Sequence, residues 1–394
     1  MEKVNFAKLE IILKNLIKLQ YVNIKNNRFT PIPFIQGSPG IGKSEWMKNF
    51  ITNLKYENDE ELKDYNFAIE VKYLSTFPLE KLTGLPTPEY KNHNGHHFTK
   101  WTCPDLFKFE NLVNYKEDRK NIIVLFLDDV HLVPKTMAPY LFEFYSYRTL
   151  HGYKLPDNVI IITAGNGPDD NAGYQPIPAP IISRYKFIYL ENDMQYWMKN
   201  YAYKNVIPEI CIFLEMNPDH FSMKPMKQNA YSCPRSWSAL SDMLKNHKEI
   251  VGKLENIKDY SLGTVSEESA YELDNFVNNI LKWNGKEYLE GKKFPEFGDM
   301  KRLDIASCIT AIQQELLKSI RDKKNKLDDE TIKVYIQNFV KIMDSLIDHL
   351  LPIAIIIIHT ILTDSTIPSN ITSDLIDIVL ENDKIRDEIA EILE

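Results

Sequence analysis

Apolar and polar positions follow two different rhythms along this chain, changing near residue 190. Residues 4–22 set leucine and isoleucine at three- and four-residue intervals among lysines, which predicts an amphipathic helix. Short apolar runs then recur at PIPFIQ (31–36), FAIEVKYLS (67–75), NIIVLFLDD (121–129), NVIIITAGN (158–166) and RYKFIYL (184–190), with helical patterns between them. Runs of this length read as strands, and the unbroken stretch Ile122–Leu127 reads as a central strand covered on both faces. Strands separated by helices pair in parallel through crossovers, so the expected fold is a three-layer α/β domain ending near residue 190. Beyond it, helical spacing dominates, at 194–250, 262–280, 300–320, 328–350 and 353–363. The expected organisation is an N-terminal helix (1–29), an α/β domain (30–192), a helical lid with a linking segment (193–285) and a helical C-terminal region (286–394).

The most apolar segment, Leu350–Leu362, spans about 20 Å as a helix against roughly 30 Å of bilayer hydrocarbon, and it contains Pro352 and His359. It is expected to be a buried core helix, with no membrane insertion. The lysine-interrupted N-terminus lacks the apolar core and cleavage site of a signal peptide. Four cysteines, none in a paired spacing, fit reduced thiols, and a cytoplasmic protein is expected.

Between the first apolar run and the helix after it stands Gly37-Ser38-Pro39-Gly40-Ile41-Gly42-Lys43-Ser44, which satisfies G-x-x-x-x-G-K-[ST] at every fixed position. Glycines let successive backbone N–H groups turn toward one anion, and the helix that follows adds its unpaired amides. Lys43 would reach the β- and γ-phosphates of ATP, and Ser44 would ligate Mg²⁺. Such a cradle needs an acidic partner on its metal side. Asp128 ends the third apolar run, where it would hold the Mg²⁺ shell, and Asp129 would orient or deprotonate water. Asn166, at the tip of the next run, is placed to meet the attacking water or the γ-phosphate.

Only eight of the 47 basic residues are arginines. A guanidinium's planar fork and permanent charge suit transition-state stabilisation better than an ammonium does. Arg184 is the candidate finger by position, and Arg235, in CPRSW, would close over nucleotide from the helical part.

Taken together these motifs resemble the AAA+ superfamily, and more narrowly its MoxR-type, phage-like branch, over about residues 30–280. LEKLTGLPTPEY (79–90) resembles that branch's insert after the second strand, and Trp101 with Pro104 resembles the run before the acidic strand. The resemblance implies sensor one at Asn166, sensor two at Arg235, and a finger at Arg184 acting on a neighbouring subunit's ATP. It also implies a homo-oligomeric ring, most often a hexamer, which remodels or matures a protein partner such as a von Willebrand A-domain protein. Two departures stand out. Asp129 occupies a position where the family has Glu, one methylene longer, and a 1 Å error at a catalytic position can cost on the order of 100-fold in rate. His131 stands where relatives have a small polar residue, with the finger side or the presensor hairpin as its expected contacts.

YRTLHGYKLP (147–156) predicts that β-hairpin, with Arg148, His151, Tyr153 and Lys154 as contacts for a partner. His93, His96 and His97 flank Asn94-Gly95 and read as a turn more than as a zinc set. The 394-residue chain has a net charge of −8, carried by its second part: residues 1–250 hold 30 basic and 28 acidic side chains, residues 251–394 hold 17 and 27. Two further functional classes therefore stay open. One is a nucleic-acid motor or loader, since the ATPase part is nearly neutral; the other is a slow-hydrolysing structural or switch ATPase.

Overall fold

A computed structural model describes residues 2–87, 99–108, 121–170, 175–223, 229–251, 254–321 and 329–364, with positions 367, 372, 373, 376 and 386. His93, His96 and His97 lie outside the described residues. The chain forms two compact units, Met1–Asp193 and Met194–Glu394.

The first unit is built on a six-stranded sheet of β1 (Lys3–Val4), β2 (Ile32–Gln36), β3 (Asn66–Tyr73), β4 (Asn121–Asp128), β5 (Val159–Gly165) and β6 (Tyr185–Leu190). Their spatial order is β1-β6-β2-β5-β4-β3, and every pairing is parallel. Residues Ile122–Asp128 and Val159–Gly165 are buried throughout, as strands covered on both faces require. This is the doubly covered α/β architecture of P-loop proteins, followed by a distinct helical region.

Helix α1 (Phe6–Lys25) is not a separate piece. It buries Leu9, Leu13 and Ile17 completely, and Gln20 donates its side-chain amide to Ile161 O of β5 at 3.0 Å. The two residues before it form β1, pairing Lys3 with Tyr189 and Val4 with Leu190. Helix α2 (Lys43–Thr52) follows the glycine-rich loop, and α3 (Ala138–Tyr147) leads into the expected hairpin, Thr149–Leu150 against Tyr153–Lys154. The turn residues His151 (φ 49°) and Gly152 (φ 85°) are both left-handed, which matches the twist of a two-residue hairpin loop.

The second unit is helical: α4 (Pro208–Met216), α5 (Pro234–Val251), α6 (Glu267–Ile280), α7 (Arg302–Arg321) and α8 (Asp329–Leu362) surround one apolar core. The sequence pattern separates 193–285 from 286–394, whereas the structure packs both stretches into that core. Non-helical angles at Leu350 (φ −150°, ψ 65°) break α8 two residues before Pro352, which cannot donate to the preceding turn. Its stretch Glu330–Leu362 is long and apolar enough to cross a membrane, yet the most apolar 18 residues are 61 % buried within the protein. That burial is what a core helix shows.

Candidate functional site

Parallel strands deliver their C-terminal ends to one edge of the sheet. Register pairs Gln36 with Gly165 and Leu127 with Thr163, so the loop after β2, the acidic end of β4 and the residue after β5 emerge side by side. These three points carry the glycine-rich loop, Asp128 and Asn166.

Within the loop, Gly40 (φ 80°) and Gly42 (φ 94°) take left-handed angles that side chains resist. A Cβ on Gly37 would meet Ile41 Cδ1 at 2.7 Å and Leu190 O at 3.2 Å, so the loop leaves β2 flush against the neighbouring strand. Lys43 opens α2 and turns back over the loop. Its ammonium donates to Gly37 O (2.6 Å), Ser38 O (3.0 Å) and Asn166 Oδ1 (2.9 Å). Ser44 Oγ donates to Asp128 Oδ2, and Asp128 Oδ1 accepts the N–H of Asp129 at 2.8 Å. A hydroxyl and a carboxylate oriented together offer the hard oxygen ligands that Mg²⁺ takes, so Ser44 and Asp128 fit that ion. Asp129 is itself left-handed (φ 57°), a strained setting for a residue with a Cβ, and its Oδ2 accepts from Ser75 Oγ at 3.4 Å.

Two residues at this edge do work that the sequence did not reveal. Asp170 accepts from Ser38 Oγ (2.9 Å) and from Gly167 N–H (2.6 Å), tying the loop to the segment after β5. It sits in GPDD as one polar turn residue among several, and only the fold shows what it holds. His131 is fully buried. Its Nδ1 lies 3.1 Å from Asn166 N, its Nε2 lies 3.0 Å from Asn166 Nδ2, and its carbonyl accepts from Gln175 N–H at 2.8 Å. It therefore packs on Asn166, and neither of its two expected contacts is where its ring nitrogens go. Burial is the main cause that holds its pKa below the usual histidine value, and the Lys43 charge adds to it against the nearby aspartates.

Arg184 precedes β6 and so stands at the opposite end of the sheet from the loop. With Tyr185 paired to Ile32, six residues separate its level from that of Gly37, about 20 Å at the rise of a strand. Its guanidinium donates to Pro180 O (3.1 Å), Ser183 Oγ (2.6 Å) and Ser146 Oγ (3.1 Å) and lies 4.3 Å above the Phe142 ring. Arg235 is exposed in the first turn of α5, in the second unit. Beside it, Trp237 is fully buried and donates its indole N–H to His220 O at 3.1 Å.

The hairpin side chains are mostly engaged internally. Arg148 donates to Pro156 O and Val159 O (2.8 and 2.7 Å), Tyr153 Oη donates to Trp101 O (2.9 Å), and His151 stacks on Trp101 at 4.2 Å. Lys154 pairs with Asp157 at 3.3 Å on the exposed face.

No protein-family profile and no curated protein matches the chain. Among solved structures, a Cytophaga hutchinsonii protein carrying a provisional ATPase designation is similar at 15 % identity and a TM-score of 0.27, over 81 % of this chain and 78 % of that one. The Aeropyrum pernix ORC1 protein, solved in complex with DNA, is similar at 11 % identity and a TM-score of 0.36, over 97 % of this chain and 84 % of that one. Both are loose likenesses of fold; the assignment to the P-loop architecture rests on this chain's sheet order and loop.

Proposed function

We propose that this chain binds Mg-ATP in the loop Gly37–Ser44 and hydrolyses it within a homo-oligomeric ring, most often a hexamer in the family it resembles, to remodel or mature a protein partner. The observation that carries the reading is the convergence of Lys43, the Ser44–Asp128 pair and Asn166 on one sheet edge. Backbone N–H groups of residues 40–44 and the Lys43 ammonium would hold the β- and γ-phosphates. Ser44 and Asp128 would hold Mg²⁺, which supplies charge neutralisation between those phosphates. Asp129, facing the same edge, would orient the attacking water and take its proton, with Asn166 contacting the γ-phosphate.

Arg184 cannot reach the loop of its own subunit across that length of sheet, so as a finger it acts on a neighbour's nucleotide, and assembly becomes a condition of turnover. Arg235 would sense nucleotide from the helical unit. The partner class, including a von Willebrand A-domain protein, comes from the resemblance to MoxR-type ATPases. Asp129, short by one methylene and left-handed, favours a second reading in which turnover is slow and the ring acts as a nucleotide switch.

Phosphate release, binding of a fluorescent ATP analogue and light-scattering mass should be measured for wild type, Lys43→Ala, Asp129→Asn and Arg184→Ala, with and without DNA. Lys43→Ala is expected to weaken nucleotide binding at least ~100-fold, and Arg184→Ala to bind nucleotide yet lose on the order of 1,000-fold in rate. Unchanged binding by Lys43→Ala would end the ATP reading. Normal hydrolysis by Arg184→Ala monomers would end the trans finger, and DNA-stimulated, salt-sensitive turnover would move the assignment to a nucleic-acid motor.

A further inference from the structure

Asn166 has a single side-chain acceptor, Oδ1, and two donors compete for it. One is the Lys43 ammonium, 2.9 Å away. The other follows from the His131 ring. The backbone N–H of Asn166 faces Nδ1 at 3.1 Å, and a main-chain amide cannot be turned round, so Nδ1 must carry the lone pair. A neutral imidazole then bears its proton on Nε2. That N–H lies 3.0 Å from the Asn166 side-chain amide, where only an acceptor satisfies it. With Oδ1 turned to Lys43, Nε2–H would face the Nδ2 donor. A half-turn of the amide places Oδ1 on Nε2–H and swings the NH₂ group toward Lys43 and the phosphate side of the loop.

We propose that His131 is the positioning residue for this half-turn: once a γ-phosphate engages Lys43, Nε2–H captures Oδ1 and Asn166 presents its NH₂ group as a donor to that phosphate. The inference deepens the ATPase reading and rests on it for the phosphate. The arrangement is held tightly. His131 is fully buried, and a Cβ added at Gly165 would lie 3.0 Å from Nδ1, so the ring packs directly against the strand end. Burial also keeps the ring neutral, in line with the lowering of its pKa. The two settings of the amide differ by one dihedral, which gives the loop a discrete marker of nucleotide.

Nitrogen NMR of the histidine rings in the full-length protein, assigned with His131→Gln, reads the tautomer directly, and it can be compared without nucleotide and with a non-hydrolysable ATP analogue. The expected result is Nε2–H in both states, with the Asn166 side-chain NH₂ resonances shifting on binding. An Nδ1–H tautomer or a charged ring would overturn the proposal. In kinetics, His131→Phe keeps the ring shape and removes both nitrogens, and is expected to lower kcat about 10- to 100-fold while the analogue's Kd changes less than about 3-fold. His131→Gln, which restores an N–H on a longer side chain, should recover part of kcat. Wild-type kcat in His131→Phe would also overturn the proposal. If wild type binds no nucleotide, the ATPase reading fails on that measurement, while the tautomer is still decided by the spectrum.

Discussion

His131 and His359 are both fully buried, one at the polar edge of the α/β unit and the other in the isoleucine-rich end of α8. Both ring nitrogens of His131 meet polar atoms of Asn166, whereas neither nitrogen of His359 has a hydrogen-bond partner among the described residues. The helix that carries His359 is apolar on either side of it: Ile353, Ala354 and Ile356–Ile358 are buried, and the Tyr203 ring lies 5.9 Å from the His359 ring. The same residue type at the same depth is in one place held by bonds that orient a side chain at a candidate site, and in the other tolerated at a desolvation cost. Burial alone therefore says little about function, and the fate of the polar atoms says more.

Acid should expose the contrast most strongly. Burial pushes His359 down to about 4 from a usual value near 6.5, with the Lys204 charge adding to it. Between those values the unfolded chain binds a proton that folded His359 refuses, so stability is complete above pH 6.5 and falls as pH drops toward 4. The loss is about 3 kcal/mol. Chemical unfolding of the second unit across that range checks it, and His359→Leu should remove this component of the dependence, leaving that of half-buried carboxyls such as Glu215, whose pKa burial raises. A flat profile in wild type would mean that His359 has a partner in solution.

A smaller effect, of opposite sign for the two histidines, is expected at neutral pH. His359→Leu removes two unpaired polar atoms and should stabilise by about 1–2 kcal/mol, while His131→Leu leaves the Asn166 N–H without an acceptor and should destabilise by a similar amount. Denaturant midpoints of both variants measure this, and equal signs would mean that the two rings contribute to stability in the same way. Smallest is Gln313, whose Nε2 is likewise buried without a hydrogen-bond partner among the described residues. Gln313→Met should be neutral or stabilise by up to about 1 kcal/mol, read as a shift in the same midpoint.

Much of the α/β unit was legible because its signals are local. The loop 37–44, Asp128 and Asn166 each declare themselves within a few residues of a strand end, and the apolar runs gave the five long strands. What was not legible depends on which strands become neighbours. His131 follows β4 and Asn166 follows β5; no spacing along the chain says that these strands adjoin in parallel register, yet that register brings the two side chains together. Asp170 was hidden for the same reason. The two-residue β1 is too short for any periodicity to show, and it exists only because β6 offers it a partner. In the helical unit, spacing located the helices but could not say that 193–285 and 286–394 share one core, since apolar faces do not name their partners.

That short first strand has a consequence beyond topology. Val4 pairs with Leu190, and Glu191 N–H donates to Val4 O at 3.0 Å, so two residues close the end of β6 that backs onto the turn at Gly37. An unpaired strand end is a template on which another chain can add. Trimming the first few residues, or fusing a bulky tag directly to them, would uncover this template beside the glycine-rich loop and turn a shielded margin into a point of self-association.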